Sequence, residues 1–214
     1  MTDAHVPAEL VLYTNPMSRA RIARWMLEET GQPYRTERLE YATSMKAPEY
    51  LAINPMGKVP ALVHGDVVVT EGAAICAYLA DAFPAAGLAP PHGDPARAGY
   101  YRWLFFAAGP VEAAVTAKAL GLLPPPEKAG MVGYGSFEQT VDVLELAVGA
   151  ADPWLLGERF TAADVYLGSQ VAWGLMFKTL PVRPAFEAYV GRLQARAAYQ
   201  RASALDDAAM PKQA

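Results

Sequence analysis

The chain has 214 residues, 53% hydrophobic and 19% charged, enough apolar content to bury a sizeable core and too much for disorder to dominate. A formal net charge of −4, with no basic block to neutralise phosphates, argues against a nucleic-acid partner. A single cysteine excludes an internal disulfide framework and fits a reducing compartment.

No apolar run reaches the ~18 residues of a membrane span. The opening "MTDAHVPAEL" has neither the basic n-region nor the apolar h-region of a secretory signal, so a cytoplasmic protein without a membrane partner is expected. In chain order, "LVLYT" (10–14) is a short apolar run suited to a buried strand. In "MSRARIARWMLEETG", Ile22, Trp25 and Met26 recur at i, i+3, i+4, which predicts an amphipathic helix that Gly31 stops. "YRTERLE" (34–40) alternates in part and reads as a half-exposed strand. "APEYLAIN" (47–54) reads as a short helix or irregular turn ended by Pro55. "ALV" and "VVV" flank His64-Gly65-Asp66 as the arms of a hairpin, and "EGAAICAYLADAF" (71–83) is helical up to Pro84. The order β-α-β-(α)-β-β-α is that of an α/β layer.

From Phe83 the pattern changes. "FPAAGLAPPHGDPA" is dense in Pro and Gly and has no period, which marks a linker. Strand signals then vanish. "RAGYYRWLFFAAGPVEAAVTAKALG" predicts a long helix kinked at Gly109-Pro110, and "SFEQTVDVLELAVGA" a second. "TAADVYLGSQVAWGLMFKTL" predicts a third, mostly apolar and therefore buried, and "PAFEAYVGRLQARAAYQRASAL" one or two more. The division is an α/β domain over 8–83, a linker over 84–95 and an all-helical domain over 96–214.

Three stretches of the α/β part carry chemistry. Pro60 opens the strand after "NPMGKV". A proline has no N–H to give a sheet, and beside a cis proline the Val59 backbone would be left for a peptide-like ligand to pair with. A trans proline opening an edge strand is the plain alternative. "TEGAA" (70–74) places Glu71 and Gly72 at a helix start, where free N–H groups attract a carboxylate and Glu71 can accept from an ammonium group. Thr70 as a simple cap and Glu71 as a dipole counter-charge is the competing reading. Ser18, between the first strand and first helix, is either a plain cap or a hydroxyl that would favour the thiolate form of a thiol held there.

Taken together, strand–Ser18–helix, "NPMGKVPAL" and "TEGAAI" resemble the N-terminal domain of the glutathione S-transferase superfamily, and the helical second half extends the resemblance over nearly the whole chain. "GERFTAADV" (157–165) adds a match: Thr161 and Asp164 have capping-box spacing and Phe160 and Val165 staple positions, with a folding role. The resemblance implies a thioredoxin-like domain followed by a helical bundle, a homodimer, and a detoxifying transferase that joins glutathione, its co-substrate, to a small apolar electrophile. It implies that Val59 and Pro60 hold the cysteinyl part of glutathione, Glu71 and Gly72 the γ-glutamyl end, and Lys46 and Lys58 the glycyl carboxylate. Ser18 would activate the thiol, with Tyr13, Thr14 and Asn15 as rivals because the spacing of "YTNPMSRAR" departs from better-known serine types. Tyr100, Trp103, Phe106 and Phe177 would wall the electrophile site.

A second departure is Gly72, where the family commonly has serine, so a hydroxyl contact to the γ-glutamyl carboxylate is lost. Cys76 falls on a small apolar helix face and is expected to be buried and inert. His5, His64 and His92 are scattered, and no spacing suggests a metal site. Glutathione-dependent peroxide or disulfide reduction, and a binding protein without turnover, remain as alternatives.

Overall fold

A computed structural model describes residues 9–211. Four strands, β1 (Leu10–Thr14), β2 (Arg35–Arg38), β3 (Ala61–His64) and β4 (Val67–Thr70), form one sheet in the order β2-β1-β3-β4. β1 runs parallel to β2 and antiparallel to β3, and β3 antiparallel to β4. The apolar run of β1 takes an inner place in the sheet with Leu10, Val11 and Leu12 buried, while the charged "RTER" of β2 forms an exposed edge. A short helix, α2 (Pro48–Leu51), lies between β2 and β3. Gly65 supplies the positive φ that closes the β3–β4 hairpin.

Helices α1 (Ala20–Thr30) and α3 (Gly72–Ala82) pack against each other and join the main core. α1 buries Ile22, Trp25 and Met26, as its period requires, and ends at Gly31 with φ 67. A second, smaller cluster is formed by Met45, Tyr50 and Ala61, with Tyr13, Leu39, Ile53 and Val59 packed on it.

No strand follows Thr70 among the described residues. α4 (Arg97–Phe106) and α5 (Glu112–Ala119) are joined by a wide helical turn at Ala107–Val111 that contains Pro110. The expected kink therefore takes the form of a π turn, which absorbs the missing N–H of the proline without ending the helix. α6 (Phe137–Gly149), α7 (Ala162–Met176), α8 (Pro184–Gln194) and α9 (Ala197–Ala208) complete the bundle. α7 packs against α1, α3, α4 and α8. Its start is fixed by Asp164, whose carboxylate accepts from Thr161 N (2.9 Å), Thr161 Oγ1 (3.0 Å), Leu155 N (2.8 Å) and the Tyr189 hydroxyl (2.7 Å). Ion pairs tie α1 to the C-terminal end: Arg24 Nε to Asp206 at 2.8 Å, and Arg196 to Glu29 through two contacts of 2.7 Å. No helix of the described residues is long and apolar enough to cross a membrane.

Candidate functional site

Sheet register brings the three stretches to one place. Ala61 stands opposite Tyr13 on one side and Thr70 on the other. The residues that follow Tyr13, precede Ala61 and follow Thr70 therefore leave the sheet at the same end. That end carries Ser18, Val59-Pro60 and Glu71-Gly72, with the N-termini of α1 and α3 beside them.

The Val59-Pro60 peptide bond is cis, and Val59 lies ahead of the β3 ladder with no main-chain hydrogen bond among the described residues. Its approach is rigidly held. The Lys58 carbonyl accepts from the Tyr50 hydroxyl (2.6 Å) and the Asn54 amide (2.7 Å). Gly57 has φ +57, and a Cβ there would stand 2.7 Å from the Met45 carbonyl oxygen, so only glycine fits. The Lys46 ammonium donates to the carbonyls of Gly57 (2.8 Å) and Met56 (3.3 Å), fixing the same loop, and the Lys58 side chain is exposed.

Glu71 adopts φ 67, ψ 122, a conformation a residue with a side chain rarely takes and one that marks functional sites. Its exposed carboxylate makes no capping hydrogen bond. The Glu71 carbonyl accepts from Ile75 N, so the first N–H groups of α3, from Gly72 onward, face outward without helical partners. Both a carboxylate and an ammonium group can be held there together.

Ser18 is buried at 8% exposure. Its hydroxyl donates to the Asn15 carbonyl (2.7 Å) and accepts from Ala20 N (3.1 Å), so it caps α1 and has its proton committed. The rivals have other engagements. Asn15 Nδ2 donates to the Leu39 carbonyl and its Oδ1 accepts from Met17 N. Thr14 Oγ1 is sealed from solvent without a partner. Tyr13 stacks at 5.4 Å on Tyr50 in the smaller cluster. Cys76 has no exposed surface, and burial pushes its thiol well up, out of reach of reaction.

The aromatic residues expected to wall the electrophile site have different surroundings. Tyr100 has 0% exposure and is a core residue, which removes it from any open cleft. Trp103 and Phe106 pack edge to face on α4 at 5.9 Å. Phe177, at the other end of the set, is 65% exposed and leans on Trp173. The residues that do line the border between sheet and bundle were not read from the sequence. Arg19 donates to Glu112 at 2.5 Å across the border and lies 5.9 Å over the Trp173 ring. Tyr166 and Gln170 sit on α7 two turns and one turn before Trp173. A Cβ at Gly72 would be 3.1 Å from Tyr166 Cε2. The available signal was polar residues, Tyr166 and Gln170, one turn apart in a helix otherwise read as apolar.

His64 Nδ1 is 2.9 Å from the Tyr78 hydroxyl, His92 is exposed beside Asp81, and His5 lies outside the described residues. Among the described residues no group of three His, Cys, Asp or Glu is placed to hold a metal.

Residues 8–81 match the family described as "Glutathione S-transferase, N-terminal domain". The chain is 31% identical over 169 residues to glutathione S-transferase GST-4.5 of Xanthomonas campestris pv. campestris, a match covering 76% of this chain and 81% of that one. It is 33% identical over 133 residues to glutathione S-transferase GstA of Escherichia coli O157:H7, and there the match spans 61% of this chain and 64% of the relative's length. Among solved structures, a glutathione transferase from Methylococcus capsulatus superposes with a TM-score of 0.77 at 30% identity, covering 93% of this chain and 99% of the other. A sphingomonad glutathione S-transferase complexed with glutathione superposes with a TM-score of 0.74 at 26% identity, covering 92% and 98%.

Proposed function

Because this chain belongs to the glutathione S-transferase family, we propose that it binds glutathione at the shared end of the sheet and transfers its thiolate to a small electrophile. The observation that carries the reading is Glu71: a positive-φ residue whose carboxylate and neighbouring free N–H groups face the same end of the sheet as the unpaired Val59 backbone. The γ-glutamyl ammonium goes to the Glu71 carboxylate and the α-carboxylate to the N–H groups at Gly72. The cysteinyl backbone pairs with Val59 as an added strand, which points the thiol toward Ser18 and the start of α1. Lys58, exposed beside this strand, is the free cation for the glycyl carboxylate, with Lys46 held to its own loop.

The protein's contribution to chemistry is orientation of the thiol and stabilisation of its ionised form by a helix N-terminus and a hydroxyl. The electrophile meets the thiol where Arg19, Glu112 and Trp173 converge, and the apolar faces of Trp103, Phe106 and Phe177 are the remaining candidates for its wall. A reductase route through a mixed disulfide on the enzyme is disfavoured by the sealed Cys76. The commitment of the Ser18 proton to Asn15 favours, as the second reading, a glutathione-binding protein with slow or no turnover.

Calorimetric titration with glutathione tests the first part. Glutathione-dependent consumption of an activated aryl halide and of an enone tests the second. Absence of binding sinks both readings; binding without conjugation of any electrophile selects the second. The proposal includes a cytoplasmic homodimer, supported by apolar side chains left open on α4 (Tyr101, Phe105) and on the edge strand β4 (Val67, Val68). A monomer mass by light scattering at micromolar protein rejects the dimer.

A further inference from the structure

Gly72 leaves the start of α3 without a side chain, and the structure shows what lies against it. The Tyr166 ring of α7 lies against the bare Cα: a Cβ at residue 72 would be 3.1 Å from Cε2 and 4.0 Å from Cζ, the carbon that bears the hydroxyl. That contact is tighter than an ordinary van der Waals approach, so ring and side chain cannot both sit comfortably there. Tyr166 is buried, with 7% exposed, and no well-formed hydrogen bond among the described residues engages its hydroxyl. One turn on, Gln170 is 8% exposed, and its amide nitrogen is sealed off without a partner. Buried polar groups normally find partners, and a sealed, unpartnered amide one turn from a phenol that lies against the N-terminus of α3 points to a polar ligand.

We propose that Tyr166 donates its phenolic hydrogen to the α-carboxylate of the γ-glutamyl end of glutathione, supplying from the helical domain the hydroxyl that residue 72 lacks. This rests on the glutathione-binding reading above and adds a residue from the second domain to that site. The carboxylate, held by the N–H groups at Gly72, comes within reach of a phenol whose ring touches the same Cα. Burial, with the Glu112 carboxylate adding to it, pushes the phenol up to about 12, so it keeps its proton and remains a donor through the neutral range. The Gln170 amide group works in the opposite sense and does not offset the burial.

The test compares wild type with Tyr166→Phe, which keeps the packed ring, against glutathione and against the analogue in which hydrogen replaces the γ-glutamyl α-carboxylate. Wild type is expected to bind glutathione more tightly than the analogue. Tyr166→Phe is expected to weaken glutathione by about tenfold in Kd, or about 1.4 kcal/mol, and to leave the analogue's Kd unchanged. Unaltered glutathione affinity in the variant, or an equal loss for both ligands, overturns the assignment and leaves the glutathione reading standing. Failure of wild type to bind glutathione overturns both.

Discussion

Ser18→Ala separates capping from thiol activation, because the structure gives each a different readout. The hydroxyl donates to Asn15 O at 2.7 Å and accepts from Ala20 N at 3.1 Å in the unliganded protein. Its removal deletes a helix cap, which costs about 1 kcal/mol. In a chain of this size that lowers Tm by roughly 2–4 °C. Activation requires more: the proton must leave the Asn15 carbonyl and turn to the thiolate. A hydrogen bond to a charged acceptor is worth about 1.5–3 kcal/mol, and the one given up about 0.5–1.5 kcal/mol. The difference is of the order of 1.4 kcal/mol, or about one pKa unit, and not the full value of a charged hydrogen bond. A thiol with an ordinary pKa of about 8.5 would titrate near about 7.5 in the wild-type complex and return toward 8.5, roughly, in the variant. Ultraviolet absorbance of the thiolate, followed against pH at saturating glutathione, measures this. Affinity below the titration range stays nearly constant, because the neutral thiol gains little from the donor. A lower Tm with an unmoved titration midpoint would make Ser18 a cap alone. A shift in Thr14→Val without one in Ser18→Ala would move the role to the unpartnered Thr14 hydroxyl.

Glu71→Gln keeps the side-chain length and removes the charge, so it should weaken glutathione binding by about 1.5–3 kcal/mol in calorimetry; an unchanged Kd takes Glu71 out of the site. Gly57→Ala forces a side chain onto φ +57 and into the Met45 carbonyl, and is expected to cost more than about 1 kcal/mol in urea unfolding, against which a wild-type midpoint would count. Cys76→Ala should retain glutathione-dependent turnover, and the wild-type thiol should resist alkylation until the protein is unfolded; native labelling or loss of turnover contradicts the sealed position.

Much of the α/β half was legible because its signals are local. The period of Ile22, Trp25 and Met26, the hairpin around Gly65 and the helix stop at Gly31 each depend on a few neighbouring residues, and each appears where expected. The π turn at Ala107–Val111 is less legible. A proline predicts a break in the ladder, but whether the chain bends or widens depends on what packs against Ala107 and Val111, both fully buried. The electrophile wall was the weakest reading. Tyr100 and Phe177 are both aromatic residues in helical sequence, yet one ends at 0% and the other at 65% exposure. Burial of a helix face is decided by partners far along the chain, and residue type does not encode it. The Arg19–Glu112 pair was out of reach for the same reason, since 93 positions separate its members.

The capping box at Thr161 and Asp164, read from sequence as a folding device, has a consequence for the site as well. Asp164 collects four donors at the first turn of α7, including the hydroxyl of Tyr189 from α8, and this fixes both the start and the rotation of the helix. Tyr166 follows two residues later, on the part of α7 where fraying is most suppressed. The ring lies in the space that the missing side chain of Gly72 leaves, so its place relative to the start of α3 follows the position of its helix. The sheet contributes the other half of the alignment, because Thr70 is locked opposite Ala61 and delivers Glu71 and Gly72 at a fixed height. The distance between α7 and the N-terminus of α3 is therefore set by two rigid elements and not by a loop. That is the condition under which a side chain from one half of the chain can complete a site built by the other.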